Sequence, residues 1–119
     1  MTRYHRRVDA LAAAINVSPS LRDALDQLQR LPIVGQTDLV VDRATVRRGV
    51  DAFERGAISA TILEEWAEAL HTAEDAGFDP ADREVVARAL FVLSTPELFG
   101  GTEDSVREVR ALIDRSGVA

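Results

Sequence analysis

Carboxylates and a histidine between positions 64 and 84 are the residues of this chain that could do chemistry. Glu68 and His71 are three residues apart, so a helix would project them from one face as Glu-x-x-His, half of the ligand set of a di-iron carboxylate site. The other half needs a second such motif and two more glutamates. The only other histidine, His5, lies in an arginine-rich stretch without that spacing. The sequence therefore predicts no metal and no cofactor.

No pattern in the chain selects a catalytic group. It has no cysteine, which excludes a thiol nucleophile, zinc-binding thiolates and a disulfide framework. Its serines lie outside a Gly-x-Ser-x-Gly turn, and its glycines form neither a phosphate loop nor a dinucleotide fingerprint. Nothing singles out two of its 20 Asp and Glu residues as an acid/base pair. We therefore expect that the protein is not an enzyme.

Charge is distributed unevenly along the chain, which has a net charge of −6 and only arginine as its basic residue. Residues 1–57 hold nine arginines against seven carboxylates, whereas residues 58–119 hold five against thirteen. A field of that sign repels nucleic acid and anionic membranes and attracts a basic protein surface. The expected partner is thus a basic protein, with nucleic acid unlikely and no membrane.

Chain length, hydrophobic content and helix start and stop signals predict the domain and the helices that position these residues. At 119 residues and 13.0 kDa, with 46% hydrophobic residues, the chain predicts one domain over residues 1–119. It has no apolar run long enough for a membrane span and no signal-peptide pattern, so a cytoplasmic location is expected.

The strongest local signal is a helix corner in the segment FERGAISATILEEWAEAL, residues 53–70. Gly56 suits the left-handed residue after a helix, and Ser59 suits the cap of the next one. Ile58 and Leu63 have the spacing of a hydrophobic staple. The predicted helix ends around Asp75 to Gly77, and its buried stripe comprises Ile62, Leu63, Trp66, Ala67 and Leu70.

Similar signals predict the other helices. Their starts are expected at Thr2, at Ser18 with Pro19, at Asp42, at Asp79 with Pro80 and Asp82, and at Thr102. Within the third helix, Gly49 either weakens the helix or allows a neighbour to approach closely. Residues 31–41 are either two short strands or, as we expect, a loop. The pattern predicts an all-α fold, a compact single-domain bundle of five or six helices.

Three features have competing interpretations. Trp66 is expected to anchor the core rather than form an exposed hot spot. Arg3, Arg6 and Arg7 are expected on a solvated face rather than at an anion contact. The corner from Val46 to Leu70 has the layout of a helix-turn-helix, but its second helix would present three glutamates to DNA, which electrostatics opposes.

The same segment resembles the signature region of small helical bacterial immunity proteins of the colicin D type. The residues that carry this resemblance cover about a sixth of the chain: Phe53, Gly56, Ile58, Ser59, Ala60, Glu64, Glu65 and Trp66. The resemblance implies a four-helix-type bundle that binds the nuclease domain of a cognate toxin and blocks its RNA-binding cleft by charge mimicry.

Charge composition favours the same function independently, because a nuclease must be basic to hold phosphate and its inhibitor should be acidic. We therefore predict that the protein neutralises a basic toxin. The alternatives are a small bacterial regulator, an antitoxin-like DNA-associated protein using its N-terminal arginines, or a general protein-interaction module. The predicted partner-binding patch has His71 at its centre and contains Glu64, Glu65, Glu68, Asp75, Asp79 and Asp82.

Overall fold

A computed structural model describes residues 3–33 and 35–115, with side chains described for 6–33 and 35–114. Within these residues the predicted all-α fold class is confirmed. Two pairs of residues form strands β1 (Val40–Val41) and β2 (Gly77–Phe78), and a 3-10 turn covers Pro96–Leu98. The six helices are α1 (Arg3–Ile15), α2 (Leu21–Arg30), α3 (Arg43–Glu54), α4 (Ala60–His71), α5 (Arg83–Ser94) and α6 (Thr102–Arg115).

Helix α4 lies at the centre of the hydrophobic core, as the apolar stripe predicts. Trp66 is fully buried, and its indole Nε1 donates a hydrogen bond to the Ala14 carbonyl oxygen of α1 at 2.8 Å. Gly49 of α3 lies directly against the indole. A Cβ at that position would be only 2.5 Å from Cζ3 and 2.8 Å from Cζ2 of Trp66. The core interpretation of Trp66 is confirmed, and Gly49 allows the close approach.

The corner between α3 and α4 has the predicted local structure. Gly56 has a φ of +80°, a backbone conformation that costs glycine little. Ser59 Oγ accepts a hydrogen bond from the Ile62 amide at 3.2 Å. At the start of α3, Asp42 Oδ1 accepts from the Thr45 amide at 2.9 Å. These caps fix where both helices begin.

Other helix boundaries differ from the predictions. Helix α2 begins at Leu21 rather than after Ser18, whose hydroxyl instead lies 2.9 Å from that of Ser20. Helix α4 ends at His71 rather than near Gly77, and Thr72 is its C-cap, whose amide and hydroxyl both donate to the Glu68 carbonyl. Thr102 is the first residue of α6 rather than its cap. Thr2 lies outside the described residues.

The segment over residues 31–41 is a loop only in part. Its last two residues form β1, which pairs in parallel with β2, so the prediction of a loop is wrong there. The pairing is supported by the Gly77 amide donating to the Leu39 carbonyl at 2.9 Å and by the Asp79 amide donating to the Val41 carbonyl at 3.1 Å. Val41 is fully buried, so this short bridge closes the core beside α5.

Arginines tie the helices together at their ends. Arg43 Nε donates to Asp82 Oδ1 at 2.9 Å, and its Nη1 donates to the Ile113 carbonyl of α6 at 3.0 Å. Arg110 of α6 pairs with Asp51 and Glu54 of α3. Burial alone would lower the pKa of Arg110, but its hydrogen bonds to these carboxylates outweigh that effect and raise it. Arg110 therefore keeps its charge and its role as a tie.

Candidate protein-binding groove

Three of the predicted site residues line one groove on the surface of the bundle, with a volume of about 630 Å³. Glu64, Glu65 and Glu68 belong to α4 and lie beside the stripe that faces the core. We call this feature the acidic groove. Its other lining residues are Arg7, Leu28, Gln29, Leu31, Pro32, Ile33, Ala69, Thr72 and Ser94.

The wall of the acidic groove that comes from α2 and the residues after it is mainly aliphatic, with Gln29 as its polar member. Helix α2 ends at Arg30, and Pro32 cannot continue it because proline lacks an amide hydrogen and clashes with the preceding turn. The chain leaves in an extended conformation at Leu31. Ile33 is consequently presented to solvent with 47% of its surface exposed. The groove thus offers both an exposed aliphatic side chain and carboxylates to a ligand.

Arg7, which also lines the acidic groove, forms a buried ion pair with Asp75. Arg7 is 5% exposed, and its Nε and Nη2 donate to Asp75 Oδ2 and Oδ1 at 2.7 and 3.0 Å. Its Nη1 donates to the carbonyl oxygens of Leu28 at 2.8 Å and Leu31 at 3.3 Å. Arg7 therefore holds the end of α2 that forms the apolar wall, and its charge is matched by Asp75.

The groove glutamates have no internal counterion. Among the described residues, no arginine forms an ion pair or side-chain hydrogen bond with Glu64, Glu65 or Glu68. Two of them, Glu64 and Glu68, are four residues apart on α4, a spacing at which like charges destabilise a helix. The negative charge of the acidic groove is therefore available to a ligand.

The structure does not bring the other predicted site residues into the groove, and it corrects one of them. Asp75 is completely buried against Arg7, so it cannot belong to a partner-facing patch. Asp82 is largely buried and paired with Arg43. Asp79 Oδ1 accepts from the Ala81 amide in the turn before α5. Asp75 and Asp82 thus pair with arginines far away in the chain, which local sequence does not reveal, whereas the turn contact of Asp79 agrees with the helix start predicted there.

His71 lies in a neighbouring hollow rather than at the centre of the glutamates. It is exposed, and its ring centroid is 6.4 Å from that of Phe91 on α5. The hollow shares Thr72 with the acidic groove, and its other lining residues include Phe78 and Arg83. Because His71 and Glu68 border different depressions, their Glu-x-x-His spacing does not give them a common site.

The sequence interpretation missed the role of Arg7. The N-terminal arginines are expected on a solvated face, which holds for Arg6 but is wrong for Arg7. The side chain of Arg3 lies outside the described residues. Arg7 precedes Leu11 by four residues and Ala14 by seven, both of which are fully buried. Its helical spacing from these two residues is the signal that could have placed it inside.

In the described part of the chain, no three His, Asp or Glu side chains come together in a way that could hold a metal ion. Over the same residues, no helix combines the length and apolar character needed to cross a bilayer.

Comparisons with protein-family models, with curated proteins and with solved structures find no significant match to this chain. The resemblance over residues 53–70 therefore stays a prediction, and function has to be argued from the acidic groove.

Proposed function

We propose that this protein binds a basic protein partner through the acidic groove and, most specifically, that it neutralises a basic, nuclease-type toxin as an immunity protein or inhibitor. One observation carries the proposal. Glu64, Glu65 and Glu68 line one groove together with the exposed Ile33 and form no ion pair among the described residues.

The energetics of α4 support a ligand for these carboxylates. Like charges four residues apart on a helix cost about 0.2–0.5 kcal/mol per pair. Relief of this repulsion would leave the fold intact, because Trp66 and Leu70 anchor α4 in the core. A partner that brings arginine or lysine to the groove removes the repulsion and forms charge-assisted hydrogen bonds.

The proposed class of partner follows from charge. A nuclease has to bind phosphate and so presents a basic cleft, which an acidic surface complements. Complementary fields raise association rates to about 10⁸–10⁹ M⁻¹s⁻¹ at low salt. An inhibitor that has to capture a toxin before it finds its substrate benefits from such a rate.

The DNA-associated alternative is less well supported. It depends on the N-terminal arginines, yet Arg7 is buried and its charge is matched by Asp75. The corner that resembles a helix-turn-helix would present Glu64, Glu65 and Glu68 to the phosphates. A general protein-interaction module is the coarser form of our proposal, because the same groove would serve it.

Expression of the neighbouring reading frames tests the proposal. Each frame is expressed in a laboratory bacterium with and without this chain, and growth is measured. We expect one neighbour that arrests growth alone and is harmless in the presence of this protein. If no neighbour is toxic, the immunity function is wrong for this chain, and the coarser binding function has to be tested separately.

Charge reversal links protection to the acidic groove. The variant Glu65→Arg/Glu68→Arg should associate more slowly and lose protection while its circular dichroism spectrum stays native. Its control is Glu97→Arg/Glu108→Arg, which changes net charge equally at two exposed residues outside the groove. Equal protection by parent and groove variant would show that the partner binds elsewhere.

A further inference from the structure

We propose that the segment that fills the acidic groove is amphipathic, with an aliphatic side chain against Ile33 and the end of α2 and with arginine or lysine facing the glutamates of α4. This inference rests on the proposed function, because it assumes that the groove binds a basic protein. It adds the chemistry of the bound segment, which net charge alone does not specify.

The two walls of the groove differ in chemistry, and this difference defines the ligand. Glu64, Glu65 and Glu68 come from α4, whereas Leu31, Pro32 and Ile33 come from the chain after α2. A uniformly basic surface would satisfy the first wall and leave the second in water. A segment with one basic and one apolar face covers both, as amphipathic helices do in hydrophobic grooves.

The apolar wall is held in place and does not need to form on binding. Arg7 Nη1 donates to the carbonyl oxygens of Leu28 and Leu31, which fixes the chain immediately before Ile33. Asp75 matches the charge of Arg7 from below, so the groove floor does not repel an approaching cation. Arg7 is therefore a positioning residue for the apolar wall.

The size of the groove fits several side chains. Its volume of about 630 Å³ falls within the ~300–1,000 Å³ of pockets that enclose ligands much larger than one amino-acid side chain. The groove therefore suits a short stretch of a partner protein in which basic and aliphatic side chains alternate at helical spacing.

Two synthetic peptides of equal length and equal positive charge test the inference. One carries leucines at i, i+3 and i+7 flanked by arginines, and the other has serine in place of each leucine. Binding to the full chain is measured by fluorescence anisotropy of a labelled peptide. We expect the leucine peptide to bind at least about tenfold more tightly, because burial of aliphatic surface adds to charge attraction.

Substitutions in the protein assign this difference to the groove. Ile33→Ser should weaken binding of the leucine peptide by at least about threefold and leave the serine peptide unaffected. The matched control is Leu98→Ser, which removes an aliphatic side chain that is 64% exposed outside the groove and should change neither affinity. Glu65→Arg/Glu68→Arg should weaken both peptides.

The possible failures are distinguishable. Equal affinity for both peptides, lost on charge reversal, would overturn the amphipathic segment and leave the basic partner in place. Binding of neither peptide at up to about 1 mM would overturn the amphipathic segment, whereas the role of the groove is decided separately by whether Glu65→Arg/Glu68→Arg loses protection.

Binding and sedimentation measurements would also detect two other occupants of the groove. Arginine amide that binds as tightly as the leucine peptide would assign the groove to a small cation and overturn the inference. Self-association that Glu65→Arg/Glu68→Arg removes, measured by sedimentation, would assign the groove to a second copy of this chain and overturn it as well.

Discussion

Arg7 and Asp75, which are 68 residues apart in the sequence, form a buried ion pair with two hydrogen bonds. The pair joins α1 to the turn after α4, and Arg7 also holds the last carbonyls of α2. The main-chain oxygen of Asp75 accepts from the Thr37 hydroxyl at 2.6 Å, so the segment before β1 is attached to the same point. Four parts of the chain thus depend on one contact.

Removing Asp75 should destabilise the protein strongly. Asp75→Ala leaves the Arg7 guanidinium buried without its counterion, and breaking one side of a buried pair costs about 3–5 kcal/mol. We expect a loss of that size in the free energy of unfolding, measured by urea denaturation followed by circular dichroism. The control Asp114→Ala removes an exposed partner of Arg47 and should cost at most about 1 kcal/mol.

If Asp75→Ala and Asp114→Ala lower the free energy of unfolding by similar amounts, the buried pair of Arg7 and Asp75 is not a major source of stability. Replacing both partners by apolar residues, as in Arg7→Met/Asp75→Leu, should recover part of the lost stability, because the Arg7 charge is no longer buried without Asp75 although the Leu28 and Leu31 carbonyls lose their donor.

Adding a methyl group at Gly49 should destabilise the core. Alanine favours a helix over glycine by about 1 kcal/mol, so local propensity alone predicts a gain in stability. The new Cβ would overlap the Trp66 indole, however, and overpacking costs about 1–3 kcal/mol. We expect a net lower free energy of unfolding for Gly49→Ala.

The double variant Gly49→Ala/Trp66→Phe checks the cause of that loss. The smaller ring leaves room for the methyl group, so the two changes should cost less together than the sum of their separate effects. Additive losses would show that Gly49 and the indole do not constrain each other.

Neutralising a groove glutamate should stabilise the free protein. Glu68→Gln removes repulsion with Glu64 at helical spacing and should add about 0.2–0.5 kcal/mol at low salt. At about 1 M salt the Debye length falls to ~3 Å and the gain should disappear. Glu74→Gln, in the turn after α4 and outside the groove, is the control and should show no such salt dependence.

Asp82 should affect stability and not partner binding. Asp82→Asn weakens the contact with Arg43, a partly buried charged hydrogen bond worth about 1–3 kcal/mol. We expect a lower urea midpoint together with unchanged affinity for the leucine peptide. Glu65→Gln should leave the urea midpoint unchanged and lower the affinity for the leucine peptide. Loss of affinity in the Asp82 variant without loss of stability would return this residue to the binding surface.

Sequence reasoning succeeds here where structure is local. The caps at Asp42 and Ser59 and the turn at Gly56 each satisfy backbone groups within a few residues, so their signals lie in one short window. The burial of Trp66 follows from helical spacing in the same way. The six helices and the all-α fold class follow from such patterns.

The sequence predicts only the glutamate wall of the acidic groove. The density of glutamates on α4 is visible in the sequence, but the position of Ile33 beside them depends on how α2 packs. The contacts of Asp75 with Arg7 and of β1 with β2 join residues far apart in the chain, and no local pattern encodes such pairing. For that reason the sequence pattern predicts Asp75 on the surface although it lies in the interior.

Because Trp66 is buried, the tryptophan fluorescence of the protein reports on one position in the core. Trp66 is the only tryptophan in the chain, and its indole contacts α3 at Gly49 and donates to α1 at Ala14. Its emission therefore reports whether α1, α3 and α4 are docked together, while the carboxylates of the same helix face the groove. A tryptophan-free ligand that leaves the emission unchanged on binding has left the surroundings of Trp66 in the core as they were, so one spectrum tests whether capture at the groove extends to the core.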